Sequence, residues 1–470
     1  MNVPGIILNA RKRFVSAAAM AAVFVILASG SNALANTIWC VTKTAVMPNP
    51  ACTPATTFST ISAVFALTSA PGPVMPFDVI VVGAGYYNES VNISVFNVTI
   101  VGAQAGRDAR VGRYDPSKES IVDATNQENT TFPNGGGAAF TVGGHNVVID
   151  GFTIKGGGVT SGTPGPFASG IFVANGVTHI VNNIIRNNAV GVYLADDVPF
   201  TLVKNNRFET NNAGAAGENV TPFAGIAGFG IGGYEPLGTA ITENAFIGNM
   251  AAAVALQWAA YTQVTKNTSG NDGSLAFFVG GVGGYIAENQ GKGFGAKGFL
   301  PLPLTTPSAH ADAAIDIAGG AGLQINDNDL KEGKTPGYNG IAFTAIVTGY
   351  IAENSHVSNN TITGFAGNGI VAEADPIAEG TLLFSMISGN NVEDNGNDGI
   401  LITEGVSNFY NSLVDNVVLG NHTNDCEDDT HLLPGAPFPG TAGTFNTWFN
   451  NIGILSDPAG LCSPPQGYPY

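Results

Sequence analysis

Positive charge is scarce in this chain: only 11% of its 470 residues are charged, and 35 Asp and Glu face 17 Lys and Arg, for a formal charge of −18. Such a surface excludes nucleic acid as a partner, because phosphate binding relies on Lys and Arg to displace counterions. It suits cations or neutral polymers, and it also serves simply to keep a protein soluble. The six His residues are dispersed, and no Walker loop, G-x-S-x-G or H-E-x-x-H is present. Phosphate cradles, serine-hydrolase elbows and zincin helices are thereby excluded. Gly83-Ala84-Gly85 opens no helix and reads as a turn.

Cysteine is equally sparse. Cys40 and Cys52 lie near one end, Cys426 and Cys462 near the other, and none falls between. Local pairing would clip each end, although four cysteines allow three connectivities. Neither pair has C-x-x-C spacing, which argues against a metal site. One long apolar run exists, from about Phe14 to Ala28, behind Arg11-Lys12-Arg13 and ahead of Ala33-Leu34-Ala35. It is shorter than the ~20 residues of a membrane span and has the layout of a signal segment cleaved after Ala35. Cleavage removes three basic and no acidic residues, taking the formal charge from −18 to −21. An exported protein with no membrane span in its mature chain is expected, whether extracellular, at the cell surface or periplasmic.

What the chain has in abundance is glycine, 63 residues, and repetition. An apolar residue, two residues, Asn, one residue and usually a second apolar residue recur around Asn183, Asn206, Asn244, Asn267, Asn289, Asn328, Asn360, Asn390 and Asn416. A small residue followed by alternating apolar positions recurs between them, as in Gly170-Ile171-Phe172-Val173 and Gly191-Val192-Tyr193-Leu194. The basic repeat is 22 or 23 residues. Period-2 alternation marks strands, and strands this short bury enough surface only by stacking coil on coil. The asparagines are expected to stack at a buried corner, bonding to one another or to backbone and adopting the left-handed conformation that such a bend needs.

These Asn-marked coils resemble right-handed parallel β-helix repeats of the pectin-lyase-like superfamily. The opening is similar too: Asp78-Val79-Ile80-Val81-Val82, the Gly83-Ala84-Gly85-Tyr86-Tyr87 turn, then Val98-Thr99-Ile100-Val101-Gly102. The fold expected is an all-β, right-handed parallel β-helix, a solenoid of about ten or more coils. It divides into a signal peptide (1–35), an N-terminal cap (36–77), the β-helix (78–425) and a C-terminal cap and tail (426–470). Phe58, Ile61, Phe65 and Thr68 follow helical spacing and predict an amphipathic helix cap. At the other end, a disulfide-clipped cap begins at Cys426.

Departures from the minimal repeat mark loops. They fall at about 155–169, 207–229 and 290–313, with two more at 344–355 and 373–385. The first three form a wall carrying Phe167, Phe223, Phe229, Phe294 and Phe299. Beside it, the outward positions of the small-residue strand read Phe172, Tyr193, Gly232, Ala255, Phe277, Asp316, Ala342, Val371 and Leu401. Tyr193, Tyr234, Trp258 and Tyr261 are the substrate-binding candidates, since aromatic rings suit sugar faces. Asp196, Asp197 and Glu235, in neighbouring coils, are the catalytic candidates. Paired carboxylates serve as acid and base in glycoside hydrolysis, and a group of them can hold Ca²⁺ through oxygen ligands.

The resemblance implies that a lyase of this superfamily would add a basic residue. No Lys or Arg occupies the outward positions, and Arg186, Lys204 and Arg207 lie on the adjacent side of the coil. The residues therefore predict a protein that interacts with, and in the catalytic case cleaves, extracellular polysaccharide as a lyase or hydrolase. The alternative is a non-catalytic surface or matrix protein whose stack is a spacer or binding platform.

Overall fold

The computed structural model describes residues 37–44, 48–67, 73–125, 137–157, 169–211, 228–295, 313–333, 335–344, 351–373, 381–404, 408–430 and 440–466. The expected signal segment, most of the five loops and the end of the tail lie outside them. Every strand pairing among the described residues is parallel, for instance Ile180 with Ile149 and Val203. The strands form a 15-stranded, a 12-stranded and a 13-stranded sheet, plus a short three-stranded one. Successive strands visit the three large sheets in turn. Thr178–Val181 joins the first, Ile184–Arg186 the second and Val190–Leu194 the third, before Leu202–Lys204 returns to the first. The chain is the right-handed parallel β-helix that the repeat predicts.

Alternation explains the core. In Val190–Leu194, Val192 and Leu194 point inward with no exposed surface, stacked in register on Ile171 and Val173 below and on Ile231 and Gly233 above. Repeated coil after coil, such columns make one continuous apolar interior that no single coil could supply.

The corner between the first two sheets is the asparagine ladder. All nine expected residues are buried, and Asn451 adds a further rung. From Asn206 onward each Oδ1 accepts the backbone N–H of the preceding rung at 2.8–3.1 Å, while that of Asn183 accepts the Phe152 N–H; most Nδ2 groups reach the next rung's Oδ1 and a carbonyl one coil back. The left-handed residue, however, is not the ladder Asn but the one before it: Asn182, Asn205, Glu243, Lys266, Glu288 and Asp327 all have φ between 54° and 57°. The preceding residue takes the turn, and this leaves the Asn extended enough for its side chain to run along the helix axis.

A second ladder, not foreseen, runs through Asn188, Asn211, Asn249 and Asp272 at the corner between the second and third sheets, and resumes with Asn395 and Asn421. Phe294, expected on the loop wall, instead occupies this corner after left-handed Gly293. It is buried in the core, its ring stacked on Phe365 at 6.2 Å. An apolar ring replaces an amide there because the corner faces the core.

At the N-terminal end the helix is one turn, Ile61–Phe65, shorter than the spacing predicts. Glu89 accepts its first two N–H groups, from Ile61 and Ser62. Phe58 belongs to a strand, Thr57–Phe58, which with Ile38–Val41 extends the first sheet. The disulfides pair locally, Cys40 with Cys52 and Cys426 with Cys462. Beside each, a buried carboxylate takes an indole N–H: Asp78 from Trp39 at 2.8 Å and Asp428 from Trp448 at 2.7 Å. No helix among the described residues is long and apolar enough to cross a membrane.

Candidate functional site

The outward stripe of the third sheet holds its predicted register. Phe172 faces Tyr193, then come Gly232, Ala255, Phe277, Asp316, Ala342, Val371 and Leu401 in one row. The row is not open. Phe172, Ala255, Phe277, Asp316, Ala342 and Val371 are all buried, and much of the stripe packs into two apolar clusters separate from the main core.

Surface returns where the stripe ends. Leu194 pairs with Gly233 and Pro199 with Leu237, so five steps of chain in one coil lie against four in the next. The extra residue is a bulge, and the left-handed Asp197 (φ 57°) turns it. As a result Asp196 and Asp197 both meet Glu235, itself left-handed at φ 50°, and one carboxylate oxygen from each lies within 4.8 Å of the others. The two aspartates are exposed and the glutamate is half-buried. Desolvation first, then the charge of Asp196 and a hydrogen bond with it, raise the Glu235 carboxyl above its ordinary pKa, while a hydrogen bond from Tyr234 pulls the other way. Glu235 therefore gives up its proton less readily than an isolated glutamate does.

The aromatic candidates divide. Tyr234 is at the trio through that hydrogen bond. Tyr193 is half-buried, stacked on Phe172 at 6.0 Å, and its hydroxyl is held protonated by burial and by the nearby Asp196. Trp258 follows Glu235 in register, left-handed at φ 56°, and its ring lies over Gly280, where a Cβ would come within 2.6 Å of it. Tyr261 is 47% exposed, at the far end of the same turn, over Gly283. It shares a row of left-handed positions with Phe200 and Gly238, and so stands apart from the carboxylates.

Among the described residues no ion pair reaches the trio. Lys204 pairs with Glu243 at 3.1 Å and Arg207 with Glu209 at 2.7 Å, both on other faces of the coil. The trio supplies three of the six to eight oxygen ligands that Ca²⁺ takes, and its exposure leaves the remainder to water, so the donor set fits that cation. The bulge was not legible in sequence; its signal is the eight steps from Leu194 to Leu202 against seven from Gly233 to Ala240.

With coil, ladder and register in place, the wider relationship is one of architecture. The chain is a right-handed parallel β-helix. No protein-family model matches it, and no curated protein matches it in sequence. Among solved structures it is similar to an alginate lyase from Paenibacillus sp. str. FPU-7, at 15% identity and TM-score 0.46 over 74% of this chain and 95% of that one. It is similar also to a thermostable GH87 α-1,3-glucanase catalytic unit from Streptomyces thermodiastaticus strain HF3-3, at 13% identity and TM-score 0.48 over 81% and 64% of the two chains. The A-module of a mannuronan C-5 epimerase from Azotobacter vinelandii aligns at 13% identity and TM-score 0.45 over 83% and 91%. Likeness at this level concerns the winding of the chain and not its chemistry.

Proposed function

We propose that the protein is an exported polysaccharide-acting enzyme, a glycoside hydrolase with Glu235 as proton donor and Asp196 or Asp197 as the partner carboxylate. One observation carries the reading: three carboxylates from adjacent coils converge through a bulge, with the pKa of one raised, beside Tyr234 and Trp258. A raised carboxyl protonates the leaving oxygen, and an ionised one attacks or stabilises the sugar. With oxygens within 4.8 Å of one another, the trio is too close-set for the wide gap in which an inverting enzyme holds its attacking water, which favours the retaining arrangement. A lyase is less well supported, for want of a basic side chain at the trio among the described residues.

The test is a panel of neutral and acidic polysaccharides, with and without EDTA, scored for new reducing ends and for the ultraviolet absorbance of an unsaturated product. Hydrolysis gives reducing ends without absorbance, and Glu235→Gln lowers the rate by about 10²-fold or more. Full activity in Glu235→Gln removes this reading. Burial of Phe172, Phe277 and Val371 favours a second one, a platform that binds glycan without cleaving it. Saturable binding of a polysaccharide with no product over the same panel would select it.

A further inference from the structure

Beyond residue 36 the chain has five arginines, and three of them, Arg113, Arg186 and Arg207, line one cavity of about 240 Å³. It lies on the outer face of the second sheet, away from the carboxylate trio, with Tyr114, Glu119, Thr153 and Glu209 in its wall. Residues 102–119, which link the strands Thr99–Val101 and Ser120–Asp123, fold back over this face. The Ala109 N–H reaches the Asn205 carbonyl at 3.2 Å, and Arg207 donates to the carbonyls of Ala109 and Arg113 at 3.2 and 3.3 Å.

The charges at the cavity do not balance. Arg113 is ion-paired with Glu119, Lys155 with Asp123 at 2.8 Å and Arg207 with Glu209 at 2.7 Å. Arg186 sits opposite Glu209 in strand register, yet Glu209 is turned to Arg207. Among the described residues Arg186 has no ion pair, and its Nε is buried without a hydrogen-bond partner. In the cavity wall, three cations, Arg113, Arg186 and Arg207, thus meet two anions, Glu119 and Glu209. In a chain of formal charge −18, a half-buried guanidinium without a counterion is costly unless something else neutralises it.

We propose that this cavity is a second saccharide site, which binds the carboxylate of an acidic sugar through Arg186. The guanidinium fork matches a planar carboxylate with two parallel hydrogen bonds. The volume is below the ~300–1,000 Å³ of larger ligand pockets and suits one small unit, not a chain. At the rim, the Tyr114 ring is 78% exposed and held by Arg207, whose guanidinium carbon is 5.4 Å from its centroid, so a sugar ring has an aromatic surface beside the anion site. The neighbouring glutamates disfavour a doubly charged sulfate or phosphate. The site does not depend on the hydrolase reading.

Isothermal titration of the whole protein with glucuronate, glucose and sulfate tests it. Saturable binding of glucuronate is expected, with glucose inert and sulfate weaker. Arg186→Gln weakens glucuronate binding by about tenfold or more. Tyr114→Ala also weakens it and leaves the melting temperature unchanged, since that ring is on the surface. Glu235→Gln leaves the affinity as it was, which separates this site from the trio. Glucuronate binding no tighter than glucose, sulfate binding as tight as glucuronate, or an unaltered affinity in a folded Arg186→Gln protein would each overturn the proposal.

Discussion

Truncating one rung of the asparagine ladder isolates its contribution. The Asn244 side chain accepts from the Asn206 N–H at 3.0 Å and the Asn206 Nδ2 at 3.1 Å, and donates to Val203, Thr242 and Asn267 at 2.9, 3.1 and 3.0 Å. Asn244→Ala leaves the buried Asn206 N–H without its acceptor, a loss of about 1–3 kcal/mol, and the three vanished donor contacts bring the total to roughly 3–5 kcal/mol. The neighbouring Glu243 is left-handed, and its side chain makes a half-exposed ion pair with Lys204. Glutamate has no advantage over alanine in the left-handed region, so Glu243→Ala loses only a weak pair, about 0–1 kcal/mol. Guanidinium unfolding followed by tryptophan fluorescence measures both, and because each coil touches only its neighbours the loss stays local to that interface. Should Asn244→Ala shift the midpoint no further than Glu243→Ala, the ladder is ornamental and the account of the corner is wrong.

Three further outcomes follow from other residues. Carboxyl-carbon NMR titration of Asp196→Asn should move Glu235 down towards the ordinary glutamate range, because the neighbour that raises its pKa is gone; an unmoved titration removes the coupling. Asp272 closes one run of the second ladder, and burial pushes its pKa from 3.8 up to about 7 against hydrogen bonds from Ser269, Asn249 and Gly270. The folded state then holds that proton more tightly than the unfolded one, so the contribution of Asp272 to stability is fully present below about pH 4 and declines as pH rises towards 7. Asp398 is raised to about 7 by burial and Glu427 and adds to the same window, so Asp272→Asn flattens the decline without abolishing it. Cys426→Ser with Cys462→Ser opens a 36-residue separation and lowers stability by about 4 kcal/mol, against about 3 for the 12-residue Cys40 and Cys52 pair. Denaturant midpoints of the two double mutants give the order.

Much of the architecture was legible because the repeat writes it more than once. The corner asparagines and the inward pairs such as Val192 and Leu194 recur at nearly fixed spacing, and a period-2 strand between fixed corners admits one register. The outward row from Phe172 to Leu401 was readable residue by residue for the same reason. The second ladder was harder to see, since Asp272 and Phe294 interrupt its asparagines. Folding of residues 102–119 onto the second sheet was also hidden, because nothing local couples Arg113 to Arg207 across 94 positions.

The sequence by itself determined that the chain winds into coils, where the corners fall, and which side chains point in or out, for these depend on local periodicity and on amide chemistry repeated at each turn. Only the tertiary structure decided which outward residues stay in water. Burial of Phe172 and Val371, the bulge that swings two aspartates onto Glu235, and the arginine cavity all depend on how one coil or loop lies against another. Such contacts join residues far apart in the chain, and no repeat encodes them.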